Sequence, residues 1–272
     1  MSRKTVANFL VVTALLALYA DSVAIVVRHD VDATEYRVPE PGPGYLVDLP
    51  HEGHAVLISD RWLVTVAHTI FYDYTGHKLS IAGDSYEIAR VVVHPGYSDL
   101  TPRALESDSE ALMRQLSARS DIALIELADP VDGAEPIALY RGDDERGLRV
   151  EIFGRGSTGT GVRGEVAATK AVRELRRCEN IIAETSKHWL AYEFDPPESA
   201  LPLEGMHGSG DSGGPAVAVV EGRPFLIGLS SWQYYEGDLD DFVGGLYGTL
   251  AFQVRISAYS RWIDSHIADR RE

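Results

Sequence analysis

Short runs of apolar residues, most of them closed by a turn, dominate the hydrophobicity pattern of the chain. In the first half the runs cover residues 45–49, 55–58, 62–67, 79–82 and 86–94. In the second half they cover residues 150–153, 166–175, 189–194, 216–220, 225–232 and 245–254. Many short strands separated by turn residues at this spacing predict an all-β barrel or sandwich.

Two stretches depart from this pattern and predict helices. Thr101 is a candidate N-cap residue, and Pro102 would then occupy the first helical position. Leucines recur on one face of the stretch that follows, so we expect a short amphipathic helix near residues 101–119, inserted into the β-structure. Residues 258–270 predict a second helix at the C-terminal end, with one apolar face.

The first 24 residues have the pattern of a secretory signal peptide. Arg3 and Lys4 supply a positive start, residues 6–20 are mostly apolar, and small residues precede a cleavage point after Ala24. The alternative is an uncleaved membrane anchor, for which the apolar run is short. We therefore expect a secreted or periplasmic protein that has no stable membrane association once residues 1–24 are removed.

Composition limits the possible partners. The 272 residues carry a formal net charge of −16, which disfavours binding to nucleic acid or to anionic membranes. Cys178 is the sole cysteine of the sequence, so no intramolecular disulfide can form. Export without disulfides suggests a bacterial protein stabilised by its core. We find no metal-ligand spacing in the sequence, and we expect neither a metal nor a cofactor.

The strongest chemical signal is the string GSGDSGGP at residues 208–215. Ser212 lies among glycines, which permit unusual backbone angles and let a ligand approach the main chain closely. Acyl transfer needs this combination of a nucleophile and adjacent backbone N–H donors. An α/β-hydrolase elbow fits the spacing but requires a helix after the serine, whereas Pro215 leads into an apolar run. The partners of Ser212 should therefore lie upstream.

Two upstream residues occupy suitable positions. His68 ends a predicted strand next to a loop, where a side chain can face a cleft. Asp121 opens the apolar string DIALIEL, where a carboxylate is costly unless it is paired or hydrogen-bonded. A structural histidine and a capping aspartate are the simpler interpretations of each residue alone.

Taken together, the strings TVAH at 65–68, DIALIEL at 121–127, GSGDSGGP at 208–215, SSW at 230–232 and GLYG at 245–248 resemble the chymotrypsin-like (trypsin-like) serine protease family. The resemblance runs from about residue 25 to the C-terminal helix. It implies two packed six-stranded antiparallel β-barrels with the active site between them. The corresponding division is an N-terminal barrel over 25–135 and a C-terminal barrel with its helix over 136–272.

The resemblance also implies roles for individual residues. Ser212 would be the nucleophile, His68 the general base and then acid, and Asp121 the residue that orients the histidine. The backbone N–H groups of Gly210 and Ser212 would form the oxyanion hole. The implied function is a serine endopeptidase acting on polypeptides, and we expect a monomer. The alternative is an inactive homologue that serves as a protein-binding module.

Substrate-binding residues also follow from the resemblance, namely Met206, Ser231, Trp232, Gln233 and Gly245. Ser231 would support Asp121, and the segment 231–233 would pair with the substrate backbone. Met206 would lie at the base of the primary specificity pocket, which predicts small or medium apolar residues before the scissile bond.

Met206 is found by counting back six residues from Ser212 without a gap. A gap in this alignment with the family would change the expected preference. It would bring Glu204 inward instead of Met206 and favour basic residues before the scissile bond.

The last implied contact concerns activation. Cleavage after Ala24 would expose Ile25-Val26 as a new N-terminus, and in the family such a terminus pairs with the aspartate that precedes the serine, here Asp211. The alternative is that Ile25 simply starts a first strand. The sequence departs from the family in lacking the usual disulfides and in having Gly154-Arg155-Gly156 where Gly-Trp-Gly is common.

Overall fold

The computed structural model describes residues 25–101, 109–166 and 174–268. The predicted signal peptide lies outside the described residues. Residues 102–108 of the predicted helical insertion, including Pro102, also lie outside them.

The described chain is mostly β-structure with two α-helices, α1 (Ser109–Ala118) and α2 (Ile256–Ile267). The C-terminal helix is confirmed, and its buried residues are Ile256, Tyr259 and Ile263.

The strands of the first half are β1 (Ile25–Val27), β2 (Leu46–Asp48), β3 (His54–Leu57), β4 (Trp62–Thr65), β5 (Lys78–Ile81), β6 (Asp84–Val93) and β7 (Ala123–Leu127). The last six form one antiparallel sheet in the order β2-β3-β4-β7-β6-β5. Apolar side chains fill its interior, among them Leu57, Leu63, Leu79, Ile88 and Ile125. Six strands around one core confirm the first barrel.

The strands of the second half are β8 (Ala138–Leu139), β9 (Arg149–Gly154), β10 (Thr158–Thr160), β11 (Gly164–Val166), β12 (Arg176–Ile181), β13 (Glu184–Thr185), β14 (Trp189–Glu193), β15 (Gly205–Met206), β16 (Pro215–Val220), β17 (Arg223–Gln233) and β18 (Leu250–Arg255). A barrel-like sheet runs β12-β9-β16-β17-β18-β14-β13, and β8 joins it by pairing with β17. The two-residue strands β8 and β13 raise its count from the expected six to eight in the described residues.

The first strand does not join the barrel of its own half. β1 lies between β10 and β15 in a separate sheet with the order β11-β10-β1-β15. Its pairing with β10 is parallel and its pairing with β15 is antiparallel. Residues 25–27 therefore belong structurally with the second half, although the sequence-based division places them in the first.

A separate apolar cluster joins the two halves. It unites Val56 and Leu124 of the first sheet with Leu229 and Val254 of the second and with Ile263 of α2. Burial of apolar side chains from both halves in one cluster stabilises their packing against each other, at roughly 25 cal/mol per Å². The cleft beside Ser212 is lined by residues from both halves.

Candidate active site

Two neighbouring strand ends bring His68 and Asp121 together. Strands β4 and β7 are antiparallel partners, with Thr65 opposite Ala123. His68 follows β4 in a short 3₁₀ turn, Ala67–Thr69, and Asp121 lies just before β7. Because the end of one strand meets the start of its antiparallel partner, residues 53 positions apart become neighbours.

The side chains of His68, Asp121 and Ser212 form a continuous hydrogen-bonded chain. Nδ1 of His68 lies 2.6 Å from Oδ2 of Asp121, and Nε2 of His68 lies 2.8 Å from Oγ of Ser212. With Nδ1 hydrogen-bonded to the carboxylate, the neutral imidazole presents an acceptor at Nε2 to the serine hydroxyl. The histidine side chain is 24% exposed and Asp121 is fully buried, so the reactive end of the chain faces solvent.

The carboxylate of Asp121 is surrounded by donors. It accepts hydrogen bonds from the backbone N–H of His68 at 2.9 Å and from the Ser231 hydroxyl at 2.6 Å, and the Arg119 guanidinium lies 3.4 Å away. Burial alone would raise the pKa of Asp121, but His68, Arg119 and Ser231 together hold that pKa well below its usual range. Asp121 therefore remains a carboxylate across the neutral range.

A β-bulge directs Ser231 toward Asp121. Strand β17 pairs Ser230 with Gln253 and Trp232 with Phe252, so the intervening Ser231 has no cross-strand partner. A bulge changes the direction of the extra residue's side chain, and bulges are common beside active sites. Here the redirected hydroxyl donates to the buried carboxylate.

The turn that carries Ser212 leaves two backbone donors open to the cleft. Gly210 has a φ of +87°, which a residue with a Cβ rarely adopts. The preceding carbonyl, that of Ser209, accepts a 2.6 Å hydrogen bond from the N–H of Ser157. Since N–H and C=O point oppositely in a trans peptide, the Gly210 N–H faces the other way. Within the described chain, neither the Gly210 nor the Ser212 N–H has a hydrogen-bond acceptor.

Asp211 lies behind this turn, fully buried, and contacts the start of β1. The backbone nitrogen of Ile25 lies 3.3 Å from its Oδ2, and the N–H groups of Gly156 and Gly208 donate to the carboxylate at 2.7 and 2.8 Å. Burial raises the pKa of Asp211 to about 6, although those donors and His54 oppose the rise. Ile25 itself has a φ of +66°, an outlying value for a β-branched residue.

The two glycines that flank Arg155 have a steric reason. A Cβ at Gly154 would collide with Oδ1 of Asp211, and a Cβ at Gly156 would collide with the backbone of Ser209. The intervening Arg155 pairs with Glu40 at 2.9 Å instead of contributing to the core. Glycine therefore leaves room for the buried carboxylate at position 154 and for the backbone of the serine turn at position 156.

The open cleft beside the triad has a volume of about 330 Å³. Its lining comprises Glu52, His68, Thr69, Phe71, Glu165, His207, Gly208, Ser209, Gly210, Ser212, Ser231, Trp232, Gln233 and Phe242. Of the predicted substrate-binding residues, Ser231, Trp232 and Gln233 line this cleft.

Met206 and Gly245 do not line the described cleft. Met206 is fully buried in β15 opposite Val26, and a Cβ at Gly245 would contact Val26 as well. The N–H of Gly245 donates to Oε1 of Gln233 at 2.9 Å, so Gly245 acts on the cleft through that side chain.

Glu204 also lies away from the cleft. Its carboxylate accepts hydrogen bonds from the N–H groups of Asp195 and Leu201 at 2.7 and 2.6 Å. The gapped alignment would have brought this carboxylate into the specificity pocket, but Glu204 is not among the residues that line the described cleft.

Three residues near the triad were not predicted from the sequence. Burial and the nearby His68 lower the pKa of His207 to about 3, so its imidazole is neutral. Arg119 and Glu165 place a positive and a negative charge near the reacting groups. Arg119 could have been noticed two residues before Asp121, whereas no local signal marks Glu165.

We also searched the described residues for a metal site and for a membrane-spanning helix. They contain no group of three or more histidine, cysteine, aspartate or glutamate side chains able to hold a metal ion. Within the same residues, neither helix has the length and hydropathy needed to cross a bilayer.

Known proteins resemble this chain over most of its length. Trypsin from Phaedon cochleariae is 26% identical over 266 residues, which cover 88% of this chain and 87% of that protein. Chymotrypsin-like elastase family member 1 from Homo sapiens is 26% identical, with 80% and 82% covered. Vitamin K-dependent protein C from Rattus norvegicus is 28% identical over 79% of this chain, which spans only 46% of that longer protein.

The sequence model of the family described as Trypsin matches residues 39–263, from the turn before β2 to the last helix. This match covers both barrel-like sheets and the segments that carry His68, Asp121 and Ser212. The chain belongs to the trypsin family of serine proteases.

Proposed function

We propose that the protein is an active serine endopeptidase that cleaves polypeptides through an acyl-enzyme intermediate. The observation that carries the proposal is the unbroken hydrogen-bonded chain from Asp121 through His68 to Ser212. Family membership supports proteolysis in general, and the geometry supports these three residues as the catalytic set. An inactive homologue, the alternative reading, has no support in the site or in the comparisons.

In the proposed reaction, Oγ of Ser212 attacks the carbonyl carbon of the scissile bond while Nε2 of His68 takes the hydroxyl proton. The same proton then passes to the leaving amine, and a water molecule repeats the sequence to release the acid. Asp121 keeps the imidazole oriented and stabilises the imidazolium that forms in each half-reaction.

The negative oxygen that develops in each tetrahedral intermediate needs preorganised donors. The N–H groups of Gly210 and Ser212 fit this task, because both residues line the cleft and neither N–H has an acceptor within the described chain. We assign them to the oxyanion hole. Segment 231–233 would hold the substrate backbone by adding it as an extra strand.

Processing completes the proposal. Removal of residues 1–24 would turn the Ile25 nitrogen into an ammonium, which at 3.3 Å from Asp211 would pair with a buried carboxylate. Export would then activate the enzyme without a separate propeptide. The proposed setting is the secreted or periplasmic space of a bacterium, and the proposed form is a monomer that needs no cofactor.

A fluorophosphonate probe tests the nucleophile directly. The processed protein should be labelled, Ser212→Ala should not, and His68→Ala should react several orders of magnitude more slowly because the triad acts as a unit. Labelling of Ser212→Ala at the same rate would contradict the assignment. Unchanged circular dichroism in both variants would separate lost chemistry from lost folding.

A further inference from the structure

The cleft beside Ser212 contains a carboxylate from strand β11, a strand that the sequence did not predict. Glu165 belongs to β11, and its N–H donates to the carbonyl of Gly244 at 2.8 Å. A Cβ at Gly208 would lie 3.4 Å from Cδ of Glu165, and a Cβ at Gly244 would lie 3.0 Å from the same atom. The carboxylate therefore lies between these two glycines and lines the cleft.

Neutral groups alone support this charge within the described chain. Oε2 of Glu165 accepts the N–H of Ser209 at 2.9 Å, and Oε1 accepts Nε2 of Gln233 at 2.7 Å. Among the described residues, Glu165 forms no ion pair with a lysine, arginine or histidine. The cleft lining includes a second carboxylate, Glu52, and no lysine or arginine.

The side chain of Gln233 marks where a positively charged nitrogen would bind. Its Nε2 lies 2.7 Å from Oε1 of Glu165 and 3.0 Å from the carbonyl oxygen of His207. Two acceptors, one of them charged, thus converge on a single nitrogen. The bond from the Gln233 amide to the carboxylate is already charge-assisted, and a cationic substrate nitrogen would add the attraction between two opposite full charges.

Other substrate side chains fit this pocket poorly. An apolar side chain would remove water from the Glu165 carboxylate without supplying a partner, which is costly. An acidic side chain would add a like charge next to it. The neutral imidazole of His207 would not offset either cost.

We infer that Glu165 is the residue that selects the substrate side chain before the scissile bond, and that this side chain is arginine or lysine. The inference rests on the proposed endopeptidase function. It replaces the apolar preference expected from Met206, which lies outside the cleft, and it draws on a different residue than the Glu204 alternative.

Fluorogenic peptides that differ only in the residue before the cleaved bond test the inference. The processed wild type should prefer arginine and lysine over norleucine, with a kcat/KM ratio of about 100. Glu165→Gln keeps the size and one of the two accepting oxygens but removes the charge, and it should lower that ratio by about 10- to 100-fold. Glu52→Gln removes the same charge from the same cleft and should leave the ratio within about twofold.

Benzamidinium, an arginine mimic, gives a readout independent of turnover. Its inhibition constant should rise by about tenfold or more in Glu165→Gln and remain unchanged in Glu52→Gln. Wild-type preference for norleucine or alanine, or equal preference in wild type and Glu165→Gln, would overturn the inference. If Glu165→Gln does not fold, failure of benzamidinium to bind the wild type would overturn it as well.

Fluorophosphonate labelling of the wild type separates the two proposals. Labelling of Ser212 without a preference for basic residues would overturn the role of Glu165 alone. Absence of labelling in the processed protein would overturn the proposed endopeptidase function and this inference with it.

Discussion

The guanidinium of Arg119 lies 3.4 Å from Oδ2 of Asp121, the same oxygen that contacts Nδ1 of His68 at 2.6 Å. Arg119 is buried and also stacks over the ring of Tyr97. One carboxylate oxygen is therefore shared between the histidine and a fixed positive charge. Against the effect of burial, His68 and Arg119 hold the pKa of Asp121 well below its usual range, so this cation helps to keep the carboxylate ionised.

Replacing Arg119 with glutamine should therefore move the acid limb of the pH–activity profile upward. Without the cation, one of the groups that oppose the effect of burial is lost, so the pKa of Asp121 rises and activity should be lost at a higher pH than in the wild type. The measurement is kcat/KM against pH for a short peptide substrate. Arg114→Gln, which removes an exposed charge from α1, is the matched control and should leave the limb in place. An unmoved limb in Arg119→Gln would show that Arg119 acts only in packing.

One extra residue retained before Ile25 should abolish most activity while the protein stays folded. The added peptide bond replaces the ammonium with a neutral N–H, so the buried carboxylate of Asp211 loses its proposed counter-charge. We expect a loss of two or more orders of magnitude in fluorophosphonate labelling rate. Mass spectrometry of the secreted wild type should give Ile25 as the first residue. Full activity with the extra residue would rule out the ammonium contact.

We call the protein that retains one residue before Ile25 the extended form. Its stability should depend on pH through Asp211. The pKa of Asp211 in the folded chain is about 6, above the ordinary value of 3.8. Between pH 3.8 and about 6, the folded chain therefore keeps a proton on Asp211 that the unfolded chain has released. The free energy of unfolding should therefore fall by about 2–3 kcal/mol as the pH rises from about 4 to 6, and then level off. Denaturant titrations at several pH values, in a Ser212→Ala background, measure this change.

Two comparisons isolate the contribution of Asp211. Asp211→Asn in the extended form carries no titrating proton at that position, so the fall attributed to Asp211 should disappear. In the processed form the Ile25 ammonium would lower the pKa of Asp211, so the same fall should again be absent. A slope that persists unchanged in Asp211→Asn must come from another group.

Gly154→Ala should destabilise the fold and slow the chemistry together. The added methyl group would collide with the Asp211 carboxylate, which is anchored by the N–H groups of Gly156 and Gly208. We expect about 1–3 kcal/mol of lost stability and reduced labelling of Ser212, since the serine turn follows Asp211. Gly44→Ala is the control, because a Cβ there would meet Ala134 at an ordinary 3.6 Å. Equal behaviour of the two variants would exclude the steric role of Gly154.

Local sequence signals were sufficient for the centre of the site. His68 and Asp121 could be placed because each stands at the end of an apolar run, and Ser212 because glycines surround it.

Strand β12 was missed because it lacks an apolar run. Its charged residues are tolerated in the sheet since Arg177 pairs with Glu151 and Glu179 with Arg149.

Residues that depend on long-range pairing could not be placed from the sequence. Glu165 stands in a stretch whose glycines and threonines predict a loop, and it reaches the pocket only because β11 pairs with β10. Similarly, nothing local in Ile25–Val27 indicates pairing with strands more than 130 residues away. The position of the Glu165 carboxylate in the cleft therefore depends on strand pairing and not on the residues next to it in the sequence.

The left-handed backbone of Ile25 gives the proposed cleavage a second effect. An L-residue held at positive φ costs roughly 1–2 kcal/mol, because its Cβ and the neighbouring carbonyl groups crowd one another. A residue at the start of a chain has no preceding carbonyl, so this crowding disappears with the bond between Ala24 and Ile25. The cut would thus relax the same residue that it exposes, and the first strand would become a better fit for its place between β10 and β15 after processing than before.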